Sequence, residues 1–306
     1  MKKTARKIFR YGAGLFLLTV IGGAVACWWN REPEKALPKP EACPVVSNVL
    51  GTIERTFGEP GDTLRLDVRR MSVAEFHARL RGVSAAAVLW TPGEGDWLLT
   101  GVKNGSSNTL ERVMARLAEE ETAYSLAELF ANCVGTVAEI EPAFAALDPS
   151  EGVVPENFVT QFIPAFGWLA DGEVDADIVK TARQEMRSMQ VVRRVALEGN
   201  ILSRDQKEQE AIAKWAGAYK RTKHDTLLME RMHHLAKNGE VFFRVGKYGM
   251  ACKCFETLIQ INPRDYVAAA NCAECLKRLG RREYAAEIEK KAEELRAQAE
   301  RGERKE

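Results

Sequence analysis

The chain lacks an excess of charge of either sign. Its 306 residues include 44 Lys and Arg against 43 Asp and Glu, which gives a formal net charge of +1. A nearly neutral chain has no overall field that would concentrate nucleic acid or acidic substrates at its surface. We therefore expect no nucleic-acid partner.

Cysteine is also scarce. Seven cysteines are too few to build a fold of this length on disulfide bonds. The composition is 46% apolar, so the chain can instead bury ordinary hydrophobic cores. Usual domain sizes predict about two folded units.

Catalytic and cofactor motifs are missing as well. The glycine runs GEPGD and GEGD lack the strand, G-x-G-x-x-G and helix context of a phosphate or dinucleotide loop. His77 lies beside the apolar stripe of a predicted helix, which favours a structural histidine over a catalytic base. Asp96 follows a turn, and turn chemistry accounts for it. The sequence therefore predicts no catalytic residue, no cofactor and no metal.

What the chain does have is a basic N-terminus followed by an uncharged segment. Residues 1–10 carry five basic side chains and no acid, and residues 11–29 carry no charge. This pattern is typical of an export signal or of a membrane-spanning helix whose N-terminus stays in the cytoplasm. It predicts a protein of the bacterial inner membrane whose body faces the periplasm.

Three fates of this segment stay open. Trp28 and Trp29 resemble interface anchors and favour a retained helix. Residues 24–26 read Ala-Val-Ala, which fits a cleavage site. Residues 24–27 resemble a bacterial lipoprotein box, which implies lipidation of Cys27, although Ala stands where Leu is usual.

The next 140 residues combine helix and strand signals. Residues 30–44 form a proline-rich linker, and residues 45–170 are predicted to be an α+β domain with a small antiparallel sheet and helices on one face. A helix is expected over 45–57, a strand over 63–68 and a β-hairpin over 84–102. Further helices are predicted to start at four capping residues, Ser72, Asn108, Ser125 and Thr136.

Residues 171–231 are predicted to form a helical cap. Acidic residues open its first helix, which is expected to end at Gly199-Asn200. A second helix is predicted to start with Ser203-x-x-Gln206 and to run to Arg221.

The clearest pattern begins at Met232. The spacing of large, small and aromatic residues over 232–265 resembles the tetratricopeptide repeat, whose period is about 34 residues. Eight positions carry the match: Leu235, Gly239, Phe242, Gly246, Tyr248, Ala251, Phe255 and Pro263. A less complete second copy starts at Tyr266, so tetratricopeptide-like helical hairpins are predicted over 232–296, followed by a charged tail over 297–306.

A second resemblance covers about residues 45–290. The runs VVSNVLGTIERTFGE, AVLWTPGEGDWLLTGVKN and LAELFANCVGTVAEIEPAFAAL, followed by an aromatic-rich strand after residue 147, look like the C-terminal half of membrane-associated spermidine synthase-like proteins. The GGGDG-type AdoMet loop and the preceding Rossmann half are missing. The resemblance therefore implies a piece without the active site, and no catalytic residue carries over.

Four cysteines cluster near the end, in Cys252-x-Cys254 and Cys272-x-x-Cys275. Small side chains packed in the repeat core are the favoured interpretation. A disulfide in an oxidising compartment and a zinc site that includes the nearby His233-His234 are the alternatives.

Together these features predict a membrane-tethered, non-catalytic module that binds a protein or peptide partner. Its repeat helices are expected to present a groove to a peptide, to a partner helix or to another copy of the chain. The alternative is a degenerate or accessory polyamine-related protein without its own active site.

Overall fold

The computed structural model describes residues 43–301, except residues 107, 121, 123, 148–151, 153, 155–161 and 163–165. The predicted membrane segment, Cys27 and nearly all of the predicted linker lie outside the described residues. So does most of the stretch in which the aromatic-rich strand was expected. Within the described part of the chain, no helix is long and apolar enough to cross a bilayer.

The described elements run from a mixed first part to an entirely helical second part. The strands are β1 (Thr63–Asp67), β2 (Val88–Trp90), β3 (Asp96–Thr100) and β4 (Cys133–Thr136). The helices of the first part are α1 (Pro44–Phe57), α2 (Val73–Arg81), α3 (Leu110–Glu119), α4 (Leu126–Phe130) and α5 (Val137–Ala145). The later helices are α6 (Ala176–Arg204), α7 (Glu208–Arg221), α8 (Thr226–Arg244), α9 (Tyr248–Ile261), α10 (Tyr266–Arg278) and α11 (Arg282–Glu300).

The four strands form one antiparallel sheet in the order β1-β3-β2-β4. Val88 of β2 and Thr63 of β1 both pair with Thr100 of the central strand β3. This arrangement confirms the α+β prediction, with the expected first strand and hairpin. Strand β4 was not predicted. Its third residue, Gly135, has a φ of +141°, a backbone conformation that residues with a Cβ rarely adopt.

Capping side chains start most helices of the first part where the sequence predicts. Ser125 and Thr136 each form a complete capping box, and Ser72 accepts the Glu75 N–H. The start predicted at Asn108 is wrong by one residue. Thr109 caps α3, because the buried Asn108 side chain donates instead to the Phe57 carbonyl oxygen at 3.0 Å. Helix α1 opens with Pro44, the last residue of the predicted linker, and proline suits this first position.

Helices cover both faces of the sheet, so the prediction of helices on one face is wrong. Trp90 and Leu98 pack on one side with α1, α3 and α4. Leu89 and Leu99 pack on the other side with α2 and α5. A strand that is buried on both faces is apolar at every position, which is why β2 reads Val-Leu-Trp without alternation.

Helix α6 belongs to both parts of the molecule. It has 29 residues and is therefore about 43 Å long. Val179 and Met186, in its first half, lie in the same core as the sheet residue Trp90. Ala196, in its second half, packs in the core of the later helices with Trp215.

The helix end predicted at Gly199-Asn200 is wrong, because both residues serve packing inside α6. A Cβ on Gly199 would lie 2.5 Å from Nε1 of Trp215, so the indole occupies the space of the missing side chain. The Trp215 Nε1–H donates to Asn200 Oδ1 at 2.9 Å. The start predicted at Ser203 is also wrong, since Ser203 lies within α6 and α7 begins at Glu208.

Helices α6 to α11 form three successive hairpins with the same turn. In each turn a backbone N–H bonds the carbonyl oxygen five residues earlier: Lys207 to Leu202 at 2.9 Å, Lys247 to Phe242 at 2.9 Å, and Arg281 to Leu276 at 3.0 Å. The residue before each donor has a positive φ, namely 62° at Gln206, 78° at Gly246 and 76° at Gly280.

The hairpins also share a packing position. The fifth residue after each positive-φ residue is a fully buried alanine, Ala211, Ala251 or Ala285. A small side chain there lets the paired helices approach closely. The predicted cap over 171–231 thus contains a hairpin equivalent to the two that follow it.

Candidate functional site

The eight predicted repeat residues lie in α8, in α9 and in the turns that follow these helices. Leu235, Ala251 and Phe255 lie in the core of the helical part, and Phe242 packs at the edge of that core. Tyr248 opens α9, and its ring contacts Phe243 edge-on at 5.3 Å between centroids.

The remaining three predicted residues shape the backbone and the approach of the helices. Gly246 has the positive φ of its turn. Pro263 is exposed in the turn between α9 and α10, two residues beyond the end of α9. Gly239 lies against the Phe255 ring, and a Cβ at this position would come within 2.7 Å of Phe255 Cζ.

A groove of about 340 Å³ lies between α8 and α10. Its walls are Glu240, Phe243 and Arg244 from α8 with Asn271 and Glu274 from α10. Phe255 of α9 forms the floor and is only 2% exposed. Because Gly239 has no side chain, this ring can lie across α8 and close the bottom of the groove.

Among the described residues, ion pairs neutralise the two carboxylates of the groove but not its arginine. Glu274 forms an ion pair with Arg278 at 2.9 Å, and Glu240 forms one with Lys237 at 3.6 Å. Arg244 is exposed and has no ion pair with any other described residue. The groove therefore offers one cation and two carboxylates whose charge is already balanced.

A larger depression of about 670 Å³ lies beside α1 and β1, but most of its charged side chains are paired with one another. Arg65 bonds Glu54 at 2.5 Å and Arg55 bonds Glu120 at 2.9 Å. The hydrogen bond from Arg65 lowers the pKa of Glu54, so this carboxylate stays ionised and engaged. Surface pairs of this kind leave no strong recognition group for a ligand.

Buried charges join the sheet part to the helical part. Arg193 of α6 is 5% exposed and donates to Asn132 Oδ1 at 2.8 Å and to Thr226 Oγ1 at 2.9 Å. The carboxylate of Asp225 lies 3.8 Å away. Burial lowers the pKa of Arg193 and raises that of Asp225, and their mutual attraction opposes both shifts.

The turn between β2 and β3 is bound to the helices by a second polar set. Asn200 donates to Glu94 Oε1 at 2.7 Å, and the Glu94 backbone N–H donates to Glu230 Oε2 at 2.8 Å. Burial raises the pKa of Glu230 to about 7. The adjoining cavity, which Arg193 and Gln190 help to line, holds about 50 Å³, enough for one or two water molecules. These contacts hold the sheet part and the helical part together, and the cavity beside them is too small for a substrate.

The histidine and the aspartate that the sequence singled out have structural surroundings. His77 Nε2 contacts the carbonyl oxygen of Phe144, so its ring joins α2 to α5. Asp96 opens β3 and pairs with Arg69 at 2.6 Å. Within the described residues, neither side chain lies with a second group that would make it a nucleophile or a general base.

The four late cysteines lie on neighbouring helices as free thiols, two on α9 and two on α10. Cys252 Sγ is 3.7 Å from Cys272 Sγ. His233 and His234 lie on α8 with their rings 6.0 Å apart, and within the described residues neither joins a group at metal-ligand distances. Burial raises the pKa of all four thiols, that of Cys275 to about 11.

Sequence reasoning missed the groove residues Phe243, Arg244 and Asn271, and it missed the junction residues Arg193 and Glu230. The repeat register contains a signal for the first set. Glu240 and Glu274 lie one repeat apart, at the same position of α8 and α10, and the three missed residues lie about one helical turn from one or the other. The junction has no such signal, since its partners are far apart in the chain and meet only in the folded protein.

Comparisons with models of known protein families and with curated proteins find no match to this chain. Both resemblances, to tetratricopeptide repeats and to spermidine synthase-like proteins, therefore stay predictions.

Proposed function

We propose that this protein is a membrane-tethered, non-catalytic interaction module of the bacterial envelope. Its tetratricopeptide-like hairpins bind a peptide or protein segment in the groove between α8 and α10. The observation that carries the proposal is the groove itself, with an aromatic floor at Phe255 and an unneutralised cation at Arg244.

The groove favours a particular partner chemistry. Phe243 and Phe255 offer apolar surface, and Asn271 offers amide hydrogen bonds to a peptide backbone. Arg244 is free to bind a carboxylate with two parallel hydrogen bonds. The expected ligand is an extended or helical segment that places an apolar side chain next to an acidic residue or a terminal carboxylate.

Three equivalent hairpins support the repeat-like part of the proposal. Repeat hairpins bury their faces only against neighbours, so three of them form a more stable stack than two. The first hairpin rests on the sheet part through α6. The stack therefore has a folded cap at one end.

Selection from a displayed library of random short peptides tests the binding function. Peptides retained by the wild-type protein are expected to share an apolar residue beside a carboxylate, and Arg244→Glu is expected to weaken them at least tenfold, or about 1.4 kcal/mol. Arg282→Glu is the matched control, because Arg282 is exposed on α11 outside the groove. Selected peptides without a shared pattern, or equal loss in both variants, count against the proposal.

The membrane tether is tested separately by the mass of the mature N-terminus. A retained residue 1 indicates an anchoring helix, and a lipid on Cys27 indicates a lipoprotein. Cleavage after Ala26 without a lipid would remove the tether and leave only the interaction module.

A further inference from the structure

Two thiols and a carboxylate meet where α9 packs on α10. Cys252 and Glu256 lie one turn apart on α9, and Glu256 Oε1 is 3.5 Å from Cys252 Sγ. Cys272 of α10 brings its Sγ to 3.7 Å from Cys252 Sγ. All three potential ligand atoms lie within 4.8 Å of one another.

These separations match the edges of a metal coordination tetrahedron. With metal–sulfur bonds of about 2.3 Å and metal–oxygen bonds of about 2.1 Å, two sulfurs are separated by about 3.8 Å and a sulfur and an oxygen by about 3.6 Å. A disulfide needs its sulfurs at about 2.05 Å. Cys252 and Cys272 therefore have the spacing of ligands around one ion, and bond formation would need a further approach of more than an ångström.

The surroundings also suit a soft cation. Cys252 is 5% exposed and Cys272 only 1%, while Glu256 is partly exposed. The carboxylate thus lies on the solvent side of the two thiols. The positive charge of Arg281, in the following turn, opposes the rise in the pKa of Cys252 that burial causes, and so favours the thiolate that would bind the ion.

We infer that Cys252, Glu256 and Cys272 form a binding site for one thiophilic divalent cation of the Zn²⁺ type. On binding, each thiol releases its proton to solvent and the two thiolates, the carboxylate and a water coordinate the ion. Because burial raises the pKa of both thiols, they are protonated before the ion arrives. The ion joins the second hairpin to the third, so its effect is to stiffen the stack that forms the groove.

Cobalt titration of the full chain, purified with a reductant and without metal, tests this inference. Tetrahedral Co²⁺ bound to thiolates gives intense visible bands and a near-ultraviolet sulfur-to-metal band. The wild-type protein is expected to bind one Co²⁺ per chain and to lose these bands when Zn²⁺ is added. Cys252→Ser and Cys272→Ser are expected to abolish the sulfur band.

Two further variants separate ligation from folding. Glu256→Gln changes a partly exposed side chain and is expected to weaken Co²⁺ binding at least tenfold with an unchanged circular dichroism spectrum. Cys254→Ser on the same helix is the matched control, because Cys254 lies outside the group, and it should bind as the wild type does. Absence of the bands in the wild type overturns the inference, as does equal binding by Cys254→Ser and Cys252→Ser. Loss of two hydrogens with a 252–272 linked peptide in unreduced protein would assign these thiols to a disulfide instead.

Discussion

Gly239 shows how one missing side chain shapes the groove between α8 and α10. The Phe255 ring occupies the space that a Cβ would need, and the same ring is the groove floor. The glycine thus acts by permitting a close approach of helix and ring, and its backbone conformation is ordinary.

Gly239→Ala is therefore expected to lower the free energy of unfolding by about 1–3 kcal/mol, because the added methyl must displace Phe255. Gly217→Ala is the matched control in the interior of α7, where a Cβ meets no atom within 4 Å. It is expected to raise stability by about 0.5–1 kcal/mol. Urea unfolding of both variants checks the prediction, and a stabilised Gly239→Ala would contradict the packing described for Phe255.

Glu230 is expected to make stability depend on pH. Its pKa rises from an ordinary 4.5 to about 7 because it is buried, so the folded state holds the proton more tightly than the unfolded state does. This contribution to stability is complete below pH 4.5 and is lost as the pH rises through about 7. The loss is at most about 3 kcal/mol.

Glu230→Gln removes this titration and keeps an oxygen for the Glu94 N–H. Urea unfolding at pH 5 and pH 8 should show that the free energy of unfolding falls by about 2–3 kcal/mol more in the wild type than in the variant over this interval. Identical pH dependence in the two proteins would show that the carboxyl does not titrate in this range.

At the scale of elements, the three hairpin turns share one backbone conformation with different residues at the positive-φ position. Gly246 and Gly280 adopt it without strain, whereas Gln206 has a φ of 62° and a Cβ. A left-handed conformation costs a non-glycine residue about 1–2 kcal/mol. The first turn is therefore the strained one.

Gln206→Gly is expected to raise the free energy of unfolding by about 0.5–1 kcal/mol, since it removes this strain. Gly246→Ala should lower the free energy of unfolding by about 1 kcal/mol. No atom lies within 4 Å of the added methyl group, so this decrease reports the cost of the backbone conformation alone. Thermal unfolding measures both changes. Destabilisation by Gln206→Gly would mean that the first turn is not equivalent to the others.

Local signals predicted the elements well where the residues that specify a structure are neighbours in the chain. The capping boxes at Ser125 and Thr136 and the turn glycine Gly246 act within one or two turns, so their spacing is visible in the sequence. The end of α6 was misplaced because Gly199 and Asn200 resemble a helix stop. Their actual role depends on Trp215, which belongs to another helix.

The first turn was missed for a related reason. Glutamine at a left-handed position carries no sequence signal, because the surrounding packing and not the residue type imposes the conformation. The sequence predicts a groove between the repeat helices but does not identify the residues that line it. Those residues follow once the hairpins at 232–296 are known to pack side by side.

At the scale of the whole molecule, the sheet part and the helical part are held together by Arg193 and its partners. Arg193→Ala leaves Asp225 buried without its cation, so it is expected to lower the free energy of unfolding by about 3–5 kcal/mol. Arg187 is exposed on the same helix, so the free energy of unfolding of Arg187→Ala is expected to lie within about 0.5 kcal/mol of the wild-type value.

Two probes show whether the parts unfold together. Among the described residues, three tryptophans of the sheet part (Trp90, Trp97 and Trp168) and one of the helical part (Trp215) contribute to fluorescence, so this signal is weighted towards the sheet part, and far-ultraviolet circular dichroism follows the helices. The wild type is expected to give coincident urea transitions, whereas Arg193→Ala should separate them. Separate transitions already present in the wild type would mean that the junction does not couple the two parts.

Helix α6 also constrains the order in which the chain matures. The four strands of the described residues are synthesised before Ala176, yet Val179 and Met186 complete the core that contains Trp90 and Phe130. Until that stretch arrives, part of the apolar core around Trp90 and Phe130 stays exposed to water, and such surface is what chaperones bind. This core is therefore completed only when the first half of α6 has emerged, and a chain cut short before residue 186 is expected to be degraded by proteases instead of accumulating as a stable fragment.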